Sequence, residues 1–390
     1  MAKSPPALVK PALLKWARES LGLSVEAAAK KLDVDADVIA AWEAGSDQPT
    51  VGMLRKIAHI YKRPLVVFYL PEPPKGFDAM RDFRRLPSEE PRAEPSPALL
   101  LEIRRAGERR EVAAEILALL DEKPQVRLPR VDVDADPIAV SVQIRALLGV
   151  SLEQQTTWPD AWAALREWRD AVEALGVLVF QMQGVPVEEA RGFSISDPPV
   201  PVVALNPTDW HHPRIFTLMH ELAHLALGAG GRCNPTWEDT GADERARIEA
   251  FCNRVAANVL VPGPALLAQD IVGNHRAVRW DDADLGSLSR VFRVSEEVVL
   301  LRLVELRRAT RDDYQDWRRR RPQRAVEPGG GGDFYRNRVA RMGRRFIELV
   351  FSGFSEGVIS AVDASEYLGV KIKRFAKLQD AAFGLAGSSR

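Results

Sequence analysis

Two histidines and a glutamate stand at helical spacing near the middle of this 390-residue chain: His220, Glu221 and His224. On a helix, residues i and i+4 lie on one face, so both imidazoles can reach a single metal ion. The glutamate after the first histidine then points beside the metal, where it can accept a proton from a bound water. The spacing therefore predicts metal-assisted hydrolysis.

The sequence around this motif predicts that it is buried. Apolar residues flank it on both sides within residues 216–227. An unpartnered buried charge is unfavourable, so a metal ion explains why three polar side chains turn inward. The alternative is that His220 and His224 are hydrogen-bonded core histidines. His211 and His212, about two turns upstream, are expected to be exposed loop residues.

A catalytic zinc site needs a third protein ligand and leaves a fourth position for water. Glu249 is the candidate, because it lies at the edge of the apolar stripe on the next predicted helix, at about 242–261. Asn253, one turn further on, is the candidate partner that orients its carboxylate. Four other acids at the start of this helix or in the loop before it are rival ligands: Glu238, Asp239, Asp243 and Glu244.

Composition limits the function classes. Lysine and arginine total 54 and so do aspartate and glutamate, which excludes a wholly basic nucleic-acid binder. The two cysteines, Cys233 and Cys252, are too few for a disulfide-built scaffold and favour a reducing cytoplasm. Cys233 is expected to be a loop thiol, with metal ligand or redox switch as alternatives, and Cys252 a small buried hydrophobe. No signal peptide or membrane span is predicted.

The chain predicts an α+β fold that is mostly helical. Five short helices are expected within residues 8–70, and further helices after residue 97. Two strand-like segments, 176–182 and 201–206, precede the motif helix and predict a small sheet. The second of them could offer its edge to an extended peptide.

These motifs carry two family resemblances. Residues 13–70 resemble an XRE/Cro-type helix-turn-helix, on the runs 14–19, 23–24, 28–32, 42–45, 48–50 and 61–65. Residues 216–224, 249–257 and 260–262 resemble the ImmA/IrrE family of metallopeptidases. The combination, in this order, is similar to two-domain members that fuse both parts.

The resemblance implies a cytoplasmic bacterial or phage zinc endopeptidase that cleaves a helix-turn-helix repressor. His220, His224 and Glu249 would hold Zn²⁺, and Glu221 would be the catalytic base that activates the zinc-bound water. The expected domains are a five-helix helix-turn-helix domain, a helical connector, a zincin-like metallopeptidase domain, and a basic linker with a helical C-terminal segment, at 1–72, 73–136, 137–310 and 311–390.

Whether the N-terminal domain binds double-stranded DNA stays open. Residues 33–47 hold five acids and no lysine or arginine, and phosphates would repel them. The candidate DNA contacts are Lys30, Lys31, Gln48 and Thr50. The rival role is a protein-interaction or dimerisation domain.

The basic segment 302–345 has 14 arginines against six acids. With Tyr314 and Trp317 beside its arginine run, it could grip phosphates or an acidic partner, or be a solvated linker. Residues 339–378 could pack at a homodimer interface.

Two functions compete. One is the repressor-cleaving peptidase. The other is a non-enzymatic, DNA-binding regulator or antitoxin-type protein, in which zinc is structural or senses a signal. Glu221 favours the peptidase, because a structural zinc site needs no base between its ligands.

Overall fold

The computed structural model describes residues 6–61, 63, 65–72, 95–196, 198–228, 242–275, 279–320 and 333–384, without the side chains of residues 242, 243 and 245. The chain forms two compact units: Met1–Arg81 with Pro87–Arg105, and Asp82–Leu86 with Ala106–Arg390. The finer division into four segments stays a prediction. Among the described helices, none combines the length and apolarity needed to cross a membrane.

The first unit is a small helical domain. Its helices are α1 Pro11–Glu19, α2 Val25–Leu32, α3 Ala36–Ala44, α4 Val51–Ile60, a 3-10 helix Leu65–Tyr69, and the start of α5 Pro97–Leu119. Helices α2 and α4 carry side-chain caps, since the Ser24 hydroxyl accepts the N–H of Ala27 and the Thr50 hydroxyl accepts that of Met53. Asp33 adopts a left-handed conformation, with φ 59°, in the turn between α2 and α3.

The second unit holds the remaining elements. They are α6 Pro137–Leu148, α7 Leu152–Thr157, α8 Ala161–Ala174, β1 Leu178–Gln181, β2 Gly192–Ile195, β3 Val202–Leu205, α9 His211–Gly228, α10 Ala242–Leu260, α11 Gly263–Leu267, α12 Asp270–Asn274, α13 Asp282–Phe292, α14 Glu296–Glu305, α15 Arg311–Arg320, α16 Phe334–Met342, α17 Arg344–Ser355, α18 Ala361–Leu368, a 3-10 helix Ile372–Arg374, and α19 Phe375–Phe383. The expected mostly helical α+β fold is confirmed.

Within the described residues, the sheet has three strands in the order β1-β3-β2, with β1 parallel and β2 antiparallel to β3. The two predicted strands are β1 and β3, and β2 was missed. Because β3 is central, both of its edges are already paired. The expectation that residues 201–206 offer an edge to a peptide was therefore wrong.

Helix α9 is the central helix of the second unit's core. It packs against α8, α10, β2 and β3, and most of its side chains are buried. Leu218, Leu222 and Leu225 belong to one apolar core that also takes in α10, α13 and α14. The motif helix is thus buried, as predicted, and it is held from several sides.

Helices α13 and α14 repeat the geometry of α2 and α3. Three residues connect each pair, and the first of the three is left-handed, Asp33 with φ 59° and Arg293 with φ 54°. The two helix pairs thus share the same backbone conformation at their turns.

The C-terminal helices are part of the second unit. Helices α16 and α17 pack on β1, and α17 also contacts α8. Trp317 is buried in the main core, and the Tyr314 hydroxyl donates to Glu297 at 2.8 Å. Both aromatic rings are thus engaged within the fold, whereas Arg318, Arg319 and Arg320 are exposed. A grip of this arginine run on phosphates or on an acidic partner stays a prediction, as does the solvated linker.

Candidate metal centre

Helix α9 brings His220 and His224 onto one face, as their spacing requires. Their Nε2 atoms are 3.1 Å apart, and the ring centroids are 4.8 Å apart. The His220 side chain is 1% exposed and that of His224 is 21% exposed. His220 thus lies in the core, and His224 lies nearer the surface.

Helix α10 supplies the third group. Glu249 Oε2 lies 3.4 Å from His220 Nε2, and Glu249 Oε1 lies 3.2 Å from His224 Nε2. Among the described residues, these three form the cluster of His, Cys, Asp and Glu side chains able to hold a metal ion. The structure thus brings together the three ligands proposed from the sequence.

The spacing of the donor atoms fits zinc. Zn–N and Zn–O distances of about 2.0–2.1 Å around a tetrahedral centre place neighbouring ligand atoms about 3.3 Å apart. The two imidazole nitrogens, 3.1 Å apart, are close to that value, and one Glu249 oxygen lies 3.4 Å from His220 Nε2 while the other lies 3.2 Å from His224 Nε2. The Glu249 side chain is 44% exposed, so the cluster has a side that faces outward. A catalytic ion needs such an open side for water.

The electrostatics couple the three groups. Burial raises the pKa of Glu249, but hydrogen bonds and attraction to His220 and His224 outweigh burial and hold the pKa well below its usual value. Burial lowers the pKa of His224, yet its neighbours Cys252, Glu249 and Glu221 raise it well above the usual value. The carboxylate is therefore ionised, as a metal ligand must be.

Cys252 has a role that its apolar pattern did not indicate. It is buried, as expected, but its thiol also hydrogen-bonds to the His224 imidazole. It stands three residues after Glu249 on α10, so both side chains project from the same helical face. The three-residue spacing between Glu249 and Cys252 could have indicated this position from the sequence. The contact supports His224 from outside the ligand set.

Glu221 lies beside the cluster and is also held from outside its helix. Its Oε2 accepts the Ser194 hydroxyl of β2 at 2.7 Å, and its side chain is buried. Ser194 was missed by sequence reasoning because β2 itself was missed.

Asn253 is not placed where its expected role requires. It is exposed on α10, and among the hydrogen bonds of the described residues none joins it to Glu249. Of the rival ligands, Glu244 is exposed and outside the cluster. Cys233 and the other rivals, Glu238, Asp239 and the side chain of Asp243, lie outside the described residues.

The other histidines are not brought to the cluster. His211 and His212 form the first turn of α9 and are half-buried, so the expectation of an exposed loop was wrong. Burial lowers the pKa of His212 to about 4. His275 stacks on Trp280 with ring centroids 3.8 Å apart, which indicates a packing role.

In the first unit, the candidate DNA contacts lie on the surface. Lys30 and Lys31 are exposed in the last turn of α2, and Gln48 is exposed before α4. The Thr50 hydroxyl caps α4 by accepting the Met53 N–H, so it is already committed to structure.

Glu43, one of the acids counted against DNA binding, does not lie on the open surface of helix α3. Glu43 is in a bidentate ion pair with Arg18 of α1, at 2.7 and 2.8 Å, with both side chains 9% exposed. The Glu43 carboxylate raises the pKa of Arg18. Glu43 thus stabilises the domain and does not face phosphates.

Two family models match the chain. Residues 172–304 match peptidase M78, described as an IrrE N-terminal-like domain, and residues 14–68 match the helix-turn-helix family. The chain joins a helix-turn-helix domain to a peptidase M78 domain. Both resemblances drawn from the sequence motifs are thereby confirmed. No curated protein matches the chain.

The peptidase M78 domain contains the candidate metal centre. Its matched span holds β1–β3, α9 and α10, and therefore Ser194, Glu221 and the three clustered groups. Helices α15–α19 follow the end of the match.

Proposed function

We propose that this protein is a zinc-dependent endopeptidase that cleaves a transcriptional repressor and thereby regulates gene expression. The observation that carries the proposal is the convergence of His220, His224 and Glu249 within 4.8 Å of one another. The cluster lies inside a peptidase-family domain, and Glu221 stands on the same helix as the two histidines.

Each group has a part in peptide hydrolysis. His220, His224 and Glu249 would hold the ion, which when bound supplies a Lewis acid and a water whose pKa is lowered toward neutrality. Glu221 accepts the proton of the attacking water and returns it to the leaving amine. The buried setting of Glu221 strengthens its interactions with the reacting groups.

The helix-turn-helix domain is the targeting part of this proposal. Its exposed Lys30 and Lys31 can meet phosphates, and the pairing of Glu43 with Arg18 removes one acid from the face of α3. The domain would bring the peptidase to double-stranded DNA on which the repressor sits. Salt-dependent binding of labelled duplex DNA to the full chain tests this part. A cytoplasmic location and a homodimer stay predictions from the sequence.

The test compares host cells that make the wild type with cells that make Glu221→Gln. Mass spectrometry of new protein N-termini should find a terminus that appears only with the wild type. The purified Glu221→Gln protein should keep its zinc, whereas Glu249→Gln should lose it, because only Glu249 is a ligand. Cleavage retained by Glu221→Gln would refute the mechanism. No new terminus under DNA damage or phage stress, in protein that carries zinc and binds DNA, would favour the non-enzymatic regulator.

A further inference from the structure

Strand β2 turns a face of small residues toward helix α9. Gly192 and Ser194 alternate along the strand and therefore lie on the same side of it, and Ser196 follows directly after the strand ends. A Cβ atom at Gly192 would come within 2.5 Å of Thr217 Cγ2 on α9. At the other end, a Cβ atom at Gly228 of α9 would come within 2.7 Å of Ser196 Cβ. The strand and the helix thus approach as closely as small side chains permit.

Ser194 uses this close approach to make one specific contact. Its hydroxyl donates to Glu221 Oε2 at 2.7 Å, and the two residues are 8% and 3% exposed. A hydrogen bond to an ionised acceptor is about twice as strong as a neutral one. Because Ser194 belongs to the sheet, it fixes the carboxylate against an element other than the helix that carries both histidines.

We propose that Ser194 is a positioning residue for the general base, holding the Glu221 carboxylate in the orientation that accepts the proton of the attacking water. The inference rests on the proposed peptidase function. Removing the hydroxyl leaves His220, His224 and Glu249 unchanged and takes away the contact that holds Glu221 Oε2 against β2. The loss therefore falls on kcat and leaves zinc content and KM unchanged. A misplacement of about 1 Å in a reacting group lowers rates by about 100-fold.

The first experiment uses the purified, zinc-loaded full chain and a fluorogenic peptide that spans the cleavage site found from the new N-termini. Ser194→Ala should lower kcat about 10- to 100-fold with KM unchanged. Ser194→Thr, which keeps a hydroxyl, should recover part of the loss. Ser196→Ala is the matched control, since it removes a serine hydroxyl two residues away, just beyond the end of β2 and also beside α9, and its kcat should equal that of the wild type. In a Glu221→Ala background, Ser194→Ala should have no further effect.

The second experiment needs neither substrate nor zinc. Thermal unfolding of the zinc-free wild type, Ser194→Ala, Glu221→Ala and the double variant forms a cycle. The Ser194→Ala change should lower Tm by about 2–4 °C when Glu221 is present and by less when Glu221 is absent. This coupling reports the hydrogen bond itself.

Opposite results overturn the inference. One is a kcat of Ser194→Ala equal to that of the wild type. Another is an equal loss of kcat in Ser194→Ala and Ser196→Ala. The third is a Tm decrease in the double variant that equals the sum of the decreases in Ser194→Ala and Glu221→Ala. If the wild type produces no new terminus in cells, the proposed function fails and the inference falls with it. Wild-type cleavage with an unaffected Ser194→Ala variant overturns the inference alone.

Discussion

Glu173 should make the stability of the second unit depend on pH. It lies buried near the end of α8, where its Oε2 accepts the backbone N–H groups of Arg344 and Arg345 at 3.1 and 3.4 Å. Arg169 and Asp170 of the same helix are the charged neighbours, and Asp170 pairs with Arg344 at 2.7 Å. Burial raises the pKa of Glu173 from 4.5 to about 7, against the opposing pull of Arg169 and the two N–H groups.

The sign of the effect follows from proton binding. A carboxyl group with a raised pKa binds its proton more tightly in the folded state than in the unfolded one. Its contribution to stability is therefore fully present below pH 4.5 and is lost as pH rises through 7. Each pKa unit corresponds to about 1.4 kcal/mol, so the rise to about 7 corresponds to about 3 kcal/mol across this window.

The assay is urea unfolding of the full chain at several pH values between 4.5 and 8, followed by tryptophan fluorescence. Glu173→Gln keeps an acceptor for the two N–H groups and removes the titration. The difference in unfolding free energy between this variant and the wild type should change by about 3 kcal/mol over the window, in favour of the variant at high pH. Glu348→Gln on α17 is the control, since its side chain is 53% exposed. Parallel pH curves for the wild type and Glu173→Gln would refute the reasoning.

Two further predictions concern packing and the buried ion pair. Glu43→Ala should destabilise the helix-turn-helix unit by about 3 kcal/mol, because it removes the carboxylate that is paired with the largely buried Arg18 guanidinium. Thermal unfolding measures this loss. An unchanged transition would show that Arg18 finds solvent instead. Gly192→Ala should cost about 1–3 kcal/mol, because its methyl group would press on Thr217 and part β2 from α9. Circular dichroism melting checks this, and a neutral effect would mean that the strand shifts freely.

Local sequence determined the elements that carry the three clustered side chains. His220 and His224 converge because a helix brings residues four apart onto one face, and no tertiary information is needed for that. Glu249 was found from its place beside an apolar stripe, which fixes the face that α10 buries. The caps Ser24 and Thr50 follow from short-range hydrogen bonds, so they too could be predicted.

Strand β2 could not be found in the same way. Its residues, Gly192 to Ile195, include a glycine and a serine and only two apolar side chains. Such a segment becomes a strand because β3 offers it a hydrogen-bonding edge, which is a tertiary condition. Strand order also excluded β3 as a free edge for an extended peptide, since β3 lies between β1 and β2.

What only the tertiary structure decided is which distant side chains meet. Ser194 reaches Glu221 across 27 positions, and Arg18 reaches Glu43 across 25. Glu43 reads as one more surface acid in the sequence, yet the fold gives it a buried cation. The sequence records periodicity within one element, and periodicity sets the face of a helix or strand. It does not record which faces pack together, because that depends on how all the elements bury their apolar surfaces at once.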